Sequence, residues 1–422
     1  MKPSSDCNVM AWWEDQEVMR RFACDFIAAE LAHLRPGGMP SASRHWAADT
    51  DIGLDLGADS LELLSLATAF SEALHLHQSG VADDLLERRR VDDWVYIAQQ
   101  GLRRFSGAMT FRTSGSSGPA KPCTHGSDAL WQESRQLAQL VGARHRILCA
   151  VPSHHIYGFL FSVLLPRALG SHPVPVIDLR GGAPGLLAHE LRAGDLIVAH
   201  PDFWRAALRL APAIGPDVIG VTSTAPCPDE LANAWASTGL AALLQFYGSS
   251  ETAGVGWRQR AGQPFQCFPY WERDSIDNTM LVRSLDDGTQ RRCSAPDHLN
   301  WIDGNSFLPV GRIDEAVQVG GVNVFPLSVA ACLKRHPDVL DATVRLMRGD
   351  EGNRLKAFIV PRADVTAAEL RVRLDGWIQD KFTSAQRPKS FSFGAQLPRD
   401  ANGKLSDWII LTLSDARPSF GE

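Results

Sequence analysis

Between residues 146 and 246 the chain alternates short apolar runs with stretches of helical spacing. The runs Arg146 to Val151, Val174 to Asp178, Asp195 to Ala199, Val218 to Ser223 and Leu243 to Phe246 read as strands. Helical patterns accompany them, such as Asp128 to Val141 before the first run and Asp229 to Ser237 between the last two. Alternation of this kind predicts an α/β fold, a parallel or mixed sheet with helices on its faces. Ligands then bind beyond the carboxyl ends of the strands. Polar motifs fall at such ends: Thr222-Ser223-Thr224-Ala225-Pro226 follows one predicted strand and Tyr247-Gly248 follows another.

Upstream of the alternation, residues 110–122 read Thr-Phe-Arg-Thr-Ser-Gly-Ser-Ser-Gly-Pro-Ala-Lys-Pro. The hydroxyls and backbone amides of Ser114, Gly115, Ser116, Ser117 and Gly118 suit a polyphosphate, whose charge Lys121 would neutralise. This is not the common nucleotide-hydrolase loop, which needs glycine, lysine and a hydroxyl residue in succession. Nor does a G-x-G-x-x-G open a helix here. Taken alone, the composition also fits a flexible Ser/Gly linker. The rest of the chain decides between the two.

Four further motifs follow in order. His155 stands in Val-Pro-Ser-His-His-Ile-Tyr-Gly, and residues 247–252 read Tyr-Gly-Ser-Ser-Glu-Thr. Residues 311–326 read Gly-Arg-Ile-Asp-Glu-Ala-Val-Gln-Val-Gly-Gly-Val-Asn-Val-Phe-Pro, and Leu-Pro-Arg-Asp-Ala-Asn-Gly-Lys closes the series at Lys404. Together with the Ser/Gly loop, this series resembles the acyl-adenylate-forming superfamily of acyl-CoA synthetases, luciferases and nonribosomal adenylation domains. The resemblance implies an acid–thiol ligase that uses ATP and Mg²⁺ to make an acyl-adenylate. It then passes the acyl group to a phosphopantetheine thiol.

The resemblance also implies roles. Ser114, Gly115, Ser116, Ser117, Gly118 and Lys121 would hold the β- and γ-phosphates, Ser250 would bond the α-phosphate, and Glu251 would carry Mg²⁺, a hard ion that prefers carboxylate oxygen. Tyr247, Asp297 and Arg312 would line the nucleotide, although Asp297 follows Ala295-Pro296 where the family shows Thr-Gly. Lys404 would bridge carboxylate and α-phosphate during adenylation. His155 would border the acyl pocket, and Asp314 would be the hinge of a small lid domain. Gln318 and Asn323 replace a frequent lysine and arginine, which implies an acceptor surface less dependent on the charged end of CoA. The small aromatic acyl segment points to an aryl or short acyl acid.

The first hundred residues have their own pattern. Val18, Phe22, Phe26, Ile27, Leu31 and Leu34 recur at helical spacing within 14–34, and further helices are expected over 60–74 and 91–102. With Leu56-Gly-Ala-Asp-Ser-Leu before the second helix, the arrangement resembles an acyl carrier protein. That resemblance implies phosphopantetheine on Ser60, a phosphopantetheinyl transferase, and transfer in cis, to a separate carrier or to CoA. An Asp-Ser pair before an apolar helix is equally an ordinary cap. Residues 1–109 are therefore either an extra carrier module or a replacement for part of the large domain.

The expected organisation is thus a helical carrier-like domain over 1–105, a large ATP- and acid-binding domain over 106–312 and a small α+β lid over 313–422. A net charge of −6 argues against nucleic acid as the main partner. The longest apolar run, 156–166, is too short for membrane insertion. Eight scattered cysteines with no C-x-x-C pair read as reduced thiols of a cytoplasmic protein. The alternative from another class is a worn adenylation fold that serves as a binding or scaffold module in a biosynthetic complex.

Overall fold

A computed structural model describes residues 11–35, 46–113, 121–180, 187, 190–210, 214–277, 279–349, 351–363, 365–399 and 405–410. The Ser/Gly stretch 114–118 and Lys404 lie outside the described residues. The chain divides into two compact units, with Asp314 the last residue of the first and the second continuing from Glu315.

In the first unit, the long helices α1 (Gln16–Leu34), α2 (Ser60–Leu74) and α3 (Val91–Arg104) precede a hairpin of β1 (Ala108–Arg112) and β2 (Pro122–Gly126). Helix α4 (Ser127–Val141) follows directly. The main sheet holds β3 (Arg146–Cys149), β4 (Val176–Asp178), β5 (Asp195–Ala199), β6 (Ile219–Thr222), β7 (Ala242–Ser249), β8 (Ala253–Arg258) and β9 (Phe265–Cys267). A side sheet of β10 (Trp271–Arg273), β11 (Met280–Ser284) and β12 (Gln290–Ser294) intervenes before β13 (Asp297–Trp301) and β14 (Ser306–Arg312) rejoin the main sheet.

The order of that sheet is β13-β14-β9-β8-β7-β6-β5-β3-β4. The strands from β4 to β7 run parallel, and the pairs from β7 to β13 run antiparallel. The sheet is mixed, as the alternation predicts. Asp195–Ala199 matches its expectation to the residue, whereas β7 runs on to Ser249 because β8 pairs with the motif itself.

The helical region does not stand apart. Phe22, Phe70 and Trp94 belong to the same buried cluster as Phe111, Phe159 and Phe246. Trp12 and Phe22 meet the ring of Phe159 at 5.0 and 6.0 Å. The expectation of a separate domain over 1–105 is therefore corrected, since the apolar faces of these helices are covered by the sheet unit and not by one another alone. Helix α2 begins with a capping box, in which Asp59 accepts from the amides of Leu61 and Glu62 while Glu62 reaches back to the Asp59 amide. Ser60 is the first, exposed residue of that helix.

The second unit pairs β15 (Val317–Val319) with β16 (Val322–Val324) and builds a three-stranded sheet of β17 (Val339–Leu346), β18 (Leu355–Pro361) and β19 (Ser390–Phe393). Helices α5 (Pro326–Leu333) and α6 (Ala367–Lys381) complete the α+β fold expected of a small lid, and their apolar residues share a core of their own. Among the described residues no helix is long and apolar enough to cross a membrane.

Candidate active site

The hairpin β1–β2 brackets the Ser/Gly stretch and closes tightly at its mouth. The Thr113 amide donates to the Lys121 carbonyl at 3.0 Å, and the Lys121 amide donates to Thr113 Oγ1 at 3.0 Å. Lys121 is exposed at this stem. Two residues on, burial and the Glu251 carboxylate push the Cys123 thiol up to about 12, against the pull of Lys121. Lys121, Cys123 and Glu251 are thus near neighbours.

Glu251 sits at the tip of the β7–β8 hairpin. Ser249 and Thr252 lock that tip, their hydroxyls 3.0 Å apart. Ala253 turns the chain back with φ of 60°, and Gly248 is needed because a Cβ there would lie 2.2 Å from the Ala253 carbonyl oxygen. His125 from β2 places Nε2 2.7 Å from the Ser250 carbonyl. The Glu251 carboxylate makes no hydrogen bond or ion pair with any described residue and is half-exposed. Free hard oxygens beside a phosphate-loop stem fit Mg²⁺, which takes one or two protein carboxylates and fills its other positions with water and phosphate oxygen.

The nucleotide residues named from sequence come together on the other side of this tip. Asp297 and Arg312 are opposite one another in the β13–β14 register. Tyr247 Oη donates to Asp297 Oδ2 at 2.6 Å. Burial first, and Asp297 beside it, push the Tyr247 phenol well above its usual range, while Glu251 and Arg312 also act on it. Arg312 grips Asp314 with Nε at 2.9 Å and a terminal nitrogen at 2.6 Å. The arginine and the expected hinge residue are therefore bonded to each other.

His155 lies at the carboxyl end of the parallel strands, as the N-cap of a short helix, Ile156–Phe159. It is exposed, with its ring 4.1 Å from that of His154, whose two ring nitrogens are buried without a partner. Tyr157 anchors the loop by donating towards the carbonyls of Ala199 and Val221 at 3.1 and 3.3 Å. Gly158 is obligatory, since a Cβ would fall 1.8 Å from the Pro152 carbonyl oxygen.

Sequence reasoning missed the residues that hold these parts. Asp25, from α1, accepts from the Ser153 amide at 2.7 Å and hydroxyl at 2.6 Å, and pairs with Arg180 at 2.7 Å. Glu133, from α4, accepts the Gly254 amide at 2.9 Å and lies 3.5 Å from Arg283. Burial pushes the Glu133 carboxyl up to about 7, opposed by Arg283. One signal existed for both: Asp25 stands among Phe22, Phe26 and Ile27, and Glu133 between Leu130 and Leu137, so each interrupts an apolar helix face.

Comparison with known proteins shows the family. The model of the AMP-binding enzyme family matches residues 24–274, and that of the AMP-binding enzyme C-terminal domain matches 328–404. The chain is 38% identical over 392 residues to a 4-coumarate–CoA ligase of Halorhodospira halophila, covering 92% of this chain and 98% of that one. It is 36% identical to a 4-coumarate–CoA ligase of Cereibacter sphaeroides, covering 93% and 97%. Among solved structures, an amide bond synthetase from Marinactinospora thermotolerans shares the fold with a TM-score of 0.59 at 17% identity, covering 92% of each chain.

Proposed function

The chain belongs to the AMP-binding enzyme family as an acid–thiol ligase, and from that premise we propose that its substrate is a small aryl acid of the hydroxycinnamate type and its acceptor CoA. The substrate class rests on relatives named 4-coumarate–CoA ligase that match nearly the whole chain. In the first step a carboxylate oxygen attacks the α-phosphorus of ATP, the bond to the bridging oxygen breaks and pyrophosphate leaves. The thiolate of CoA then attacks the acyl carbon, and AMP leaves.

The observation that carries the reading is the Glu251 carboxylate, without a partner among the described residues, on a tip pinned by His125 at the end of the strand that carries Tyr247, which bonds Asp297. Lys121 and the Ser/Gly loop neutralise the terminal phosphates. Ser250 would bond the α-phosphate, and Glu251 would hold Mg²⁺, which would supply charge neutralisation for the leaving pyrophosphate. Asp297 and Arg312 take the ribose hydroxyls. Lys404 bridges the two anions during adenylation, and Asp314 is the hinge between the two steps. His155 borders the acyl pocket and the thiol path.

Ser60 is read as a helix start capped by Asp59, and CoA as the acceptor is supported by the relatives named 4-coumarate–CoA ligase. Gln318 and Asn323 face each other across the β15–β16 hairpin and hydrogen-bond to one another. Neither adds a cation for the 3′-phosphate of CoA, so dephospho-CoA should serve nearly as well.

The test is product analysis with ATP, Mg²⁺, CoA and a panel of acids. 4-Coumarate should yield its CoA thioester with AMP and pyrophosphate, and Lys404→Ala should abolish acid-dependent pyrophosphate exchange. Turnover of short aliphatic acids alone would overturn the substrate class. Coexpression with a broad phosphopantetheinyl transferase should leave the intact mass unchanged. A phosphopantetheine increment abolished by Ser60→Ala would move the acceptor onto this chain.

A further inference from the structure

The Glu251 side chain has no partner of its own among the described residues, so its direction is inherited from the backbone that carries it. Three side chains from outside the hairpin tip hold that backbone. His125 Nε2 lies 2.7 Å from the Ser250 carbonyl, which shares its peptide plane with the Glu251 amide. A carbonyl only accepts, so the ring nitrogen facing it is the protonated one. On the far side Glu133 Oε1 accepts the Gly254 amide at 2.9 Å, and a Cβ at Gly254 would lie 2.4 Å from that oxygen. The Gly254 carbonyl in turn accepts from Trp271 Nε1 at 2.7 Å.

Glu133 is itself braced. Its second oxygen faces Arg283 at 3.5 Å. Arg283 donates to the Ala129 carbonyl at 2.6 Å and lies over the rings of Tyr270 and Trp271 at 4.4 and 5.5 Å. An ion pair this buried, 2% exposed at Glu133 and 3% at Arg283, is costly unless its groups are fully engaged. What it obtains here is a fixed acceptor for a single amide three residues after Glu251.

Resting on the reading of Glu251 as the metal carboxylate, we propose that His125 and Glu133 are positioning residues which aim that carboxylate and so set the affinity for the divalent cation. Both sit downstream of the phosphate-loop stem, His125 on β2 and Glu133 on α4. The strand after the stem and the tip are thereby joined, and a cation held by Glu251 would keep a fixed position relative to the stem. Second-layer hydrogen bonds of this kind orient metal ligands elsewhere.

The test measures binding of Mn²⁺ by electron paramagnetic resonance, with the protein saturated by a non-cleavable α,β-methylene ATP. His125→Phe and Glu133→Leu should each weaken Mn²⁺ binding roughly 10–100-fold, with nucleotide binding in the absence of metal unchanged. His125→Gln and Glu133→Gln keep a donor and an acceptor and should recover most of the affinity. If an apolar variant does not fold, His125→Asn or Glu133→Asp, which shorten the reach by one carbon, replace it with the same expected weakening. Wild-type Mn²⁺ affinity in the folded apolar or shortened variants would overturn the proposal, as would glutamine variants as weak as those. Glu251→Gln separates the two readings. If it binds Mn²⁺ as the wild type does, the metal role of Glu251 falls and the positioning role with it. If it weakens binding while the His125 and Glu133 variants do not, only the positioning role falls.

Discussion

Tyr247 Oη and Asp297 Oδ2 are 2.6 Å apart, a bond that joins residues 50 positions apart in sequence. In the sheet order β8, β9 and β14 stand between β7 and β13, a separation far beyond the length of a phenol, so the bond is made by the bending of the strands and not by adjacency in the sheet. Because burial and Asp297 keep the phenol protonated, it stays a donor throughout the working pH range.

Tyr247→Phe should therefore leave Asp297 without its donor and weaken ATP binding. A hydrogen bond to a charged group contributes roughly 1.5–3 kcal/mol, which corresponds to about tenfold or more in the KM for ATP. Steady-state kinetics with the acid saturating gives the number, and kcat should change less than KM.

Asp25→Ala should destabilise the first unit and disturb the His155 loop together. It leaves Arg180 with Asp178 alone and leaves the Ser153 amide and hydroxyl without an acceptor. Breaking a buried charge pair costs roughly 3–5 kcal/mol, and urea unfolding should show it. For the same reason residues 1–105 expressed alone should lack cooperative unfolding, as their core is completed by Phe111, Phe159 and Phe246.

Glu133 predicts a pH dependence whose sign is unusual for a carboxylate. Its folded value, about 7, lies above the solution value of 4.5. The folded state therefore binds the extra proton, and stability from this group is present below 4.5 and lost as pH rises towards 7. Glu133→Gln should flatten the slope of unfolding free energy over that window. An unchanged slope in thermal melts would refute this.

Lys356 is fully buried in the second unit and gathers the Glu351 carboxylate at 2.9 Å, Asp407 Oδ1 at 2.9 Å and the Trp408 carbonyl at 2.7 Å. These bonds tie β18 to the chain just after Lys404. Lys356→Met should destabilise this unit, since Glu351 and Asp407 are then left to Arg348 alone, and the Trp408 carbonyl loses its buried donor. It should also slow adenylation more than thioester formation from preformed acyl-adenylate. Backbone and side-chain bonds hold the Glu351 carboxyl down at about 2, so its contribution is present above the usual carboxylate range and disappears as pH falls towards 2.

The sequence by itself determined the α/β class and the five apolar runs between residues 146 and 246 that form the parallel strands β3 to β7. Those signals are local: a strand such as Asp195–Ala199 announces itself by its own apolar run. Only the tertiary structure decided what the helical region belongs to. The amphipathic spacing of α1 shows that a face must be buried but does not name what buries it, and Asp59-Ser60 starts a helix in the same way with or without a modified serine. The same holds for Asp25, His125 and Glu133. A buried charge or ring acquires its role from the partner it meets, and Ser153, Ser250 and Gly254 are brought to them by packing between elements far apart in the chain.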